Sequence, residues 1–224
     1  MKPGDVIATD NGPAPAWPMY RAMVGIGIFC ALLIVSVVLW TLPMIEHNRA
    51  AALERAVLQV LPGASRFVRH DIARNAIERV VYVAFTAQGD LAGIALDAQA
   101  MGYQDTVRIL YGYNPAIEAV VGMQVLETRE TPGLGDRIET DPVFTANFDA
   151  LDVRLGSDGD LANPIELVKP GQKTQAWQID SISGATISSA AVAHMLQEST
   201  SQWIPELYRR QAELRALGEN DNAQ

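Results

Sequence analysis

Asp180-Ser181-Ile182-Ser183-Gly184-Ala185-Thr186-Ile187-Ser188-Ser189 joins a hydroxyl-rich polar run to an apolar periodic one. Ile187, Ala191 and Met195 recur four apart, with Val192 and Leu196 beside them, which predicts a helix from about Thr186. A helix beginning here leaves its first N–H groups without intrahelical partners and sets the positive end of its dipole at Thr186. A phosphate group fits such a place. Gly184 permits a sharp turn and close approach of a bulky ligand to the backbone. Thr186 offers a hydroxyl beside that anion site, and Asp180 upstream is a candidate base or cation ligand. The same run also suits an ordinary capped helix start, because Ser and Thr are common N-cap residues.

The chain has 224 residues and a formal net charge of −9, with no stripe of Lys and Arg. Nucleic-acid binding is not expected from such a surface. Cys30 is the only cysteine, so the chain has no intrachain disulfide, thiolate zinc site or cysteine-held iron–sulfur cluster. His47, His70 and His194 lie far apart in sequence and do not form a metal-ligand pattern. No GxGxxG or Walker-type loop occurs, which argues against a Rossmann domain or an NTPase.

Residues Met1 to Tyr20 are rich in Pro, Gly, Ala and Asp without periodicity and read as a flexible tail. Ala22 to Ile45 carries no charge. As a helix this run extends about 36 Å, enough to cross a hydrocarbon core of ~30 Å with some tilt. Trp17, Tyr20 and Trp40 near its ends suit the interface, and Arg21 marks its N-terminal edge. The run is too long for a signal peptide and Pro43-Met44-Ile45-Glu46 offers no cleavage site, so residues 21–45 read as an uncleaved transmembrane helix. Lys2 and Arg21 before it balance Arg49 and Arg55 after it, so charge does not set the orientation. Residues 46–63 continue as an amphipathic stalk or packing helix with Ala50, Leu53, Val57 and Val60 on one stripe, ended by Pro62-Gly63.

A globular domain is expected over residues 64–200. Val80 to Thr86 and Leu91 to Leu96 form a hairpin about Gln88-Gly89-Asp90. Val107 to Tyr111 and Ala116 to Val125 form a second pair about Asn114-Pro115. Strands followed by a helix-rich end give an α+β class with antiparallel strands and flanking helices. Glu130-Thr131-Pro132-Gly133-Leu134-Gly135 follows the last strand as a rigid loop that allows close approach. Two glycines around one Leu suit a mere turn or a loop lying against a flat ring. Asp141 to Asp160 is acidic and irregular, with Phe144 and Phe148 as packing anchors, and Ala176 to Ile179 is a short strand. Lys173 is a surface lysine or a contact to an anion. Residues 201–224 read as a C-terminal helix over Ser201 to Leu217, with Pro205 in an early turn, and a disordered end from Gly218.

Two of these stretches carry a resemblance. Asp180-Ser181-Ile182-Ser183-Gly184-Ala185-Thr186 resembles the flavinylation motif of the FMN-binding domain family, and Glu130 to Gly135 resembles that family's Glu-Thr-Pro-Gly-Leu-Gly loop. Gly102-Tyr103-Gln104 resembles the Gly-Tyr segment found before that loop. With an N-terminal anchor in front, the pattern is similar to the G subunits of Rnf electron-transport complexes and to the related C subunits of sodium-pumping quinone reductases. The resemblance implies covalent FMN on Thr186 through a phosphoester, installed by a separate flavin transferase from FAD. It implies cofactor-binding roles for Asp180, Ser183, Gly184, Ala185, Thr186, Ser188 and Ser189, and for Glu130, Thr131, Gly133, Leu134 and Gly135. It also implies other membrane and peripheral subunits of an Rnf-type complex as partners in ion-coupled electron transfer between ferredoxin and NAD. The bacterial inner membrane is the implied location, with the large domain periplasmic. The alternative is a membrane-anchored scaffold without a redox cofactor; a free-standing flavin reductase lacks an acid/base pair in the sequence.

Overall fold

A computed structural model describes residues 17–74 and 77–221 of the chain. Most of the expected flexible tail lies outside the described residues, but Trp17 to Tyr20 at its end are already helical. The chain divides into two compact units, Met1–Ala50 and Ala51–Gln224.

Helix α1 (Trp17–Val60), which is long and apolar enough to cross a membrane, makes up the described part of the first unit, and its residues from Ala51 belong to the second. Its large side chains, Ile26, Phe29, Leu32 and Trp40 among them, are exposed, which is costly in water and favourable in lipid. No break separates the apolar stretch from the expected stalk helix at residue 46. Pro43 lies inside α1, and the Ala-, Leu- and Glu-rich residues beyond it have high helix propensity, with no glycine until Gly63.

The second unit is built on an antiparallel sheet. Its strands β1 (Arg66–Arg74), β2 (Ile77–Phe85), β3 (Leu91–Met101), β4 (Thr106–Asn114), β5 (Ala119–Glu127) and β6 (Leu151–Asp152) lie in chain order. Both expected hairpins form, with Ala84 paired to Gly93 and Asn114 to Ala119. Gly89, at φ +92, makes the turn between β2 and β3. Sequence reasoning missed β1 because Arg66, Arg69, Asp71 and Arg74 interrupt any apolar alternation. Such charge is normal on an edge strand, and only Ile72 of β1 is buried.

After β5 come two single-turn helices, α2 (Arg137–Thr140) and α3 (Pro142–Thr145), and a 3-10 turn at Ala146–Phe148. Phe144 and Phe148 meet edge to face at 5.3 Å and are buried, as expected of anchors. Strands β7 (Glu166–Val168) and β8 (Gln178–Asp180) pair in parallel. The long helix α4 (Thr186–Arg209) and then α5 (Gln211–Asp221) end the described chain.

Side-chain alternation buries both faces of the sheet. Val81, Val83, Phe85, Ile94, Leu96, Ile109, Tyr111 and Tyr113 point to the side of α4, against Val192, Leu196, Trp203, Ile204 and Leu207. The intervening Ala84, Ala95 and Leu110 point the other way, against Ala56, Val57, Val60 and Leu61 at the end of α1. That second face is made shallow by glycine on three neighbouring strands. A Cβ at Gly112 would lie 2.1 Å from the Val60 carbonyl oxygen, one at Gly122 2.7 Å from it, and one at Gly93 2.5 Å from Leu61 Cδ2.

The C-terminal helix differs from expectation. No new helix begins near Ser201; α4 continues through Pro205 to Arg209. Trp203, Ile204 and Leu207 carry on the buried stripe of Leu196. Burying three large side chains, at roughly 1.5–3 kcal/mol each, offsets a proline defect of about 3 kcal/mol. The expected disorder from Gly218 is also corrected: α5 runs to Asp221 and Gly218 packs on Phe85, where a Cβ would lie 2.5 Å from Cε1. Residues 222–224 lie outside the described residues.

Gly112→Ala should lower stability by about 1–3 kcal/mol through overpacking against backbone that cannot swing aside. Thermal unfolding of the full chain in detergent, against a Gly27→Ala control with open space around it and no positive φ, measures the difference.

A cleft at the N-terminus of the long helix

The start of α4 has no side-chain cap. Ala185 is the N-cap residue, and the first intrahelical bond runs from Ser189 N–H to the Ala185 carbonyl at 2.9 Å. The N–H groups of Thr186, Ile187 and Ser188 therefore precede the bonded part of the helix, where its dipole favours an anion. Gly184, at φ +86, turns the chain into this start. Thr186 is exposed and Ala185 is buried, so the hydroxyl at position 186 is accessible while the backbone beneath it is fixed.

Thr186 stands on the wall of a cleft of about 390 Å³, within the usual ~300–1,000 Å³ of small-molecule sites. One wall is Gly184, Ala185, Thr186, Ile187 and Ser188 from the helix start. The other is Glu130, Thr131, Leu134 and Gly135 from the loop after β5, with Tyr103 from the turn between β3 and β4. Leu134, Ile187 and Tyr103 are half or more exposed although apolar or aromatic, at 51%, 54% and 68%. Among the described residues, neither Lys nor Arg lines the cleft. Its chemistry is an apolar slot with backbone N–H donors at one end, which suits a flat ring joined to a phosphate.

Glu130 joins the two walls. Its Oε1 accepts from Gln104 N–H at 3.0 Å and Asp105 N–H at 3.5 Å, and its Oε2 accepts from the Ser188 hydroxyl. The packing is too close for a side chain at either flanking glycine. A Cβ at Gly102 would sit 2.5 Å from Oε1, and one at Gly135 2.5 Å from Oε2. Burial pushes the Glu130 carboxyl up, but the Ser188 hydroxyl and the N–H groups of Gln104, Tyr103 and Asp105 together hold it below its usual value. Thr131 completes the loop: its carbonyl accepts from Leu134 and Gly135 N–H, both at 3.1 Å, and its hydroxyl donates to Gln104 Oε1 at 3.2 Å.

A second tie links the two loops at their outer ends. Arg137 donates to the Ser183 carbonyl at 3.1 Å and pairs with Asp141 at 2.5 Å. Burial raises the Asp141 carboxyl, and the Phe144 and Val143 N–H groups with Arg137 overcome that and lower it.

Eight expected site residues thus meet at the cleft: Glu130, Thr131, Leu134, Gly135, Gly184, Ala185, Thr186 and Ser188. Four do not line it. Asp180 turns its Oδ1 to the Gln172 and Lys173 N–H groups, both at 3.0 Å. Ser189 is fully buried, its hydroxyl accepting from Ile182 N–H at 3.1 Å and its own N–H held by Ala185. Ser183 contributes its carbonyl to Arg137, and Gly133 turns the loop at φ +77. Lys173 donates to Asn147 Oδ1 at 3.2 Å and is also absent from the lining. Burial lowers its pKa, against the pull of Asp180 and Asp149.

Three contributors were not assigned to the site from sequence. Tyr103 was visible only as part of a Gly-Tyr segment. Ile187 looked like the first residue of the core stripe, yet it faces the cleft. Arg137 carried no signal beyond its place just after the Gly-rich loop.

Residues 102–201 match the sequence model of the FMN-binding domain. The match begins at the Glu130-packed turn of Gly102 and ends inside α4, so it encloses the whole cleft. The chain is also similar to the G subunit of the ion-translocating oxidoreductase complex of Methanosarcina acetivorans, at 28% identity over 79% of this chain and 88% of that one. It is similar to the protein of the same name from Haemophilus influenzae strain Rd, at 28% identity over 80% and 86%. In fold, the chain is similar to the C subunit of the Na⁺-translocating NADH-quinone reductase of Parabacteroides distasonis. That structure gives a TM-score of 0.57 at 18% identity, over 75% of this chain and 96% of that one.

Because its carboxyl is depressed in the fold, Glu130 contributes stability that is present above the ordinary glutamate range and is lost as pH falls through the depressed value. Glu130→Gln should therefore flatten the acid limb of the melting-temperature profile. Thermal scans of both proteins from neutral pH downward check this, and an unchanged acid limb counts against the assigned contacts.

Proposed function

We propose that the chain is a membrane-anchored electron-transfer subunit that carries FMN covalently on Thr186. The observation that carries this reading is the exposed Thr186 hydroxyl at an uncapped helix start, opening on an apolar cleft with no competing cation. In loading, the Thr186 oxygen forms a bond to the FMN phosphorus of FAD. The P–O–P bond breaks, AMP leaves and the hydroxyl proton is released. A flavin transferase supplies that step, since the cleft holds no residue placed as its base.

Bound FMN supplies reversible electron storage at its ring. Around it, each wall of the chain has a separate task. The N–H groups of Thr186, Ile187 and Ser188 receive the phosphodiester, and Gly184 keeps side-chain bulk away from it. Leu134, Tyr103 and Ile187 give the ring an apolar seat and exclude water from its faces. A phosphoester tether leaves the ring chemistry untouched and prevents loss of the cofactor, which suits a relay.

The relatives are named as subunits of ion-translocating oxidoreductase complexes, which supports other membrane and peripheral subunits of an Rnf-type complex as electron donor and acceptor here. In that setting electrons pass between ferredoxin and NAD with coupled ion transport. The apolar stretch of α1 serves as a single-pass anchor in the bacterial inner membrane, with the FMN domain periplasmic.

Thr186→Val should abolish flavin fluorescence of the denatured band in a gel after co-expression with a flavin transferase, with the fold retained. Mass spectrometry of the peptide containing Thr186 should show one FMN ester in the parent and none in the variant. A colourless parent peptide of unmodified mass sinks this reading in favour of an anchored scaffold. For topology, alkaline phosphatase fused after residue 221 should be active and a fluorescent protein that matures only in the cytoplasm should be dark; the reverse pattern places the domain inside.

A further inference from the structure

Glu130 is the single ionised side chain among the residues that line the cleft. It is only 5% exposed and has no cationic partner among its hydrogen bonds: two backbone N–H groups meet one oxygen and the Ser188 hydroxyl the other. Arg129, its neighbour in the chain, pairs with Asp105 at 3.4 Å, and Arg137 pairs with Asp141 at 2.5 Å. Neutral donors fix a carboxylate in place without cancelling its charge. A fixed charge in a wall partly shielded from water acts more strongly than one in solvent.

Resting on the FMN reading above, we propose that Glu130 sets the potential of the bound flavin, its fixed negative charge in the cleft wall opposing the addition of electrons to the ring. The helix dipole at Thr186 does not cancel this, because the phosphodiester it receives brings its own negative charge. The depressed carboxyl of Glu130 agrees with a group that stays ionised at neutral pH. The same three contacts that hold the charge also hold Tyr103 and Ser188, so Glu130 acts here as a positioning and electrostatic residue and forms no bond to the cofactor.

The test is a dye-equilibrated redox titration of the full chain in detergent, loaded by co-expression with a flavin transferase. Glu130→Gln preserves size and can still accept from Gln104 and donate to Ser188, while removing the charge. It should favour the reduced flavin at least tenfold, an upward shift of about 59 mV per one-electron step. Glu130→Asp, which keeps the charge, should stay nearer to the parent than to Glu130→Gln. On the unaltered chain, the flavin potential should lie below that of free FMN. An unmoved potential in a folded, flavin-loaded Glu130→Gln overturns the inference alone, and so does a parent potential at or above that of free FMN. A parent that carries no flavin overturns both this inference and the function on which it rests.

Discussion

A buried carboxylate with only neutral partners holds the site together. Glu130 receives hydrogen bonds from the turn at Gln104 and Asp105 and from Ser188 on the first turn of α4. Removing a charged acceptor from such contacts leaves buried donors without partners, which costs more than the bonds themselves contribute in water. Gly102 and Gly135 are required by the same carboxylate, since each lies where a Cβ would strike one of its oxygens. Three segments far apart in sequence are thereby brought to one side chain, and the cleft is the space left between them.

Behind that contact stands a sheet whose two faces do different work. The α4 face is filled by large residues and positions the long helix rigidly, with Tyr111 hydroxyl 2.8 Å from Ser199 Oγ as a buried polar tie. Arg79 adds a donor to Ser199 and stacks on Trp203 at 5.4 Å. The opposite face is cut back to Gly93, Gly112 and Gly122 so that the last turn of α1 lies directly on the backbone. Helix α4 is thus anchored along its length by apolar burial, while its N-terminus is left free of any cap. Stability and ligand access are separated along one element.

Much of this was legible in residue patterns. Short β-branched and apolar runs between turn residues announced β2 to β5, and Gln88-Gly89-Asp90 announced their first turn. The uncharged run from Ala22 to Ile45 announced the apolar helix, and the 3.6-residue stripe announced the start of α4 near Thr186. What failed has physical causes. Arg66, Asp71 and Arg74 hid an edge strand because an edge tolerates charge. Pro205 suggested a helix start because local propensity cannot register the burial of Trp203 and Leu207 that outweighs it. Ile187 looked like core because periodicity reports a face and not what covers that face.

By itself the sequence determined the α+β class, the apolar N-terminal helix and a hydroxyl at a helix start preceded by glycine. These are local properties, set by side-chain periodicity, turn chemistry and hydropathy within a few residues. Only the tertiary structure decided which motif residues face the cleft. Asp180 and Ser189 belong to the same motif as Thr186, yet Asp180 Oδ1 accepts from Lys173 N–H and the Ser189 hydroxyl from Ile182 N–H, away from the cleft lining. Hydrogen-bond satisfaction is settled by neighbours in space, and no spacing along the chain reveals which acceptor a buried N–H will find.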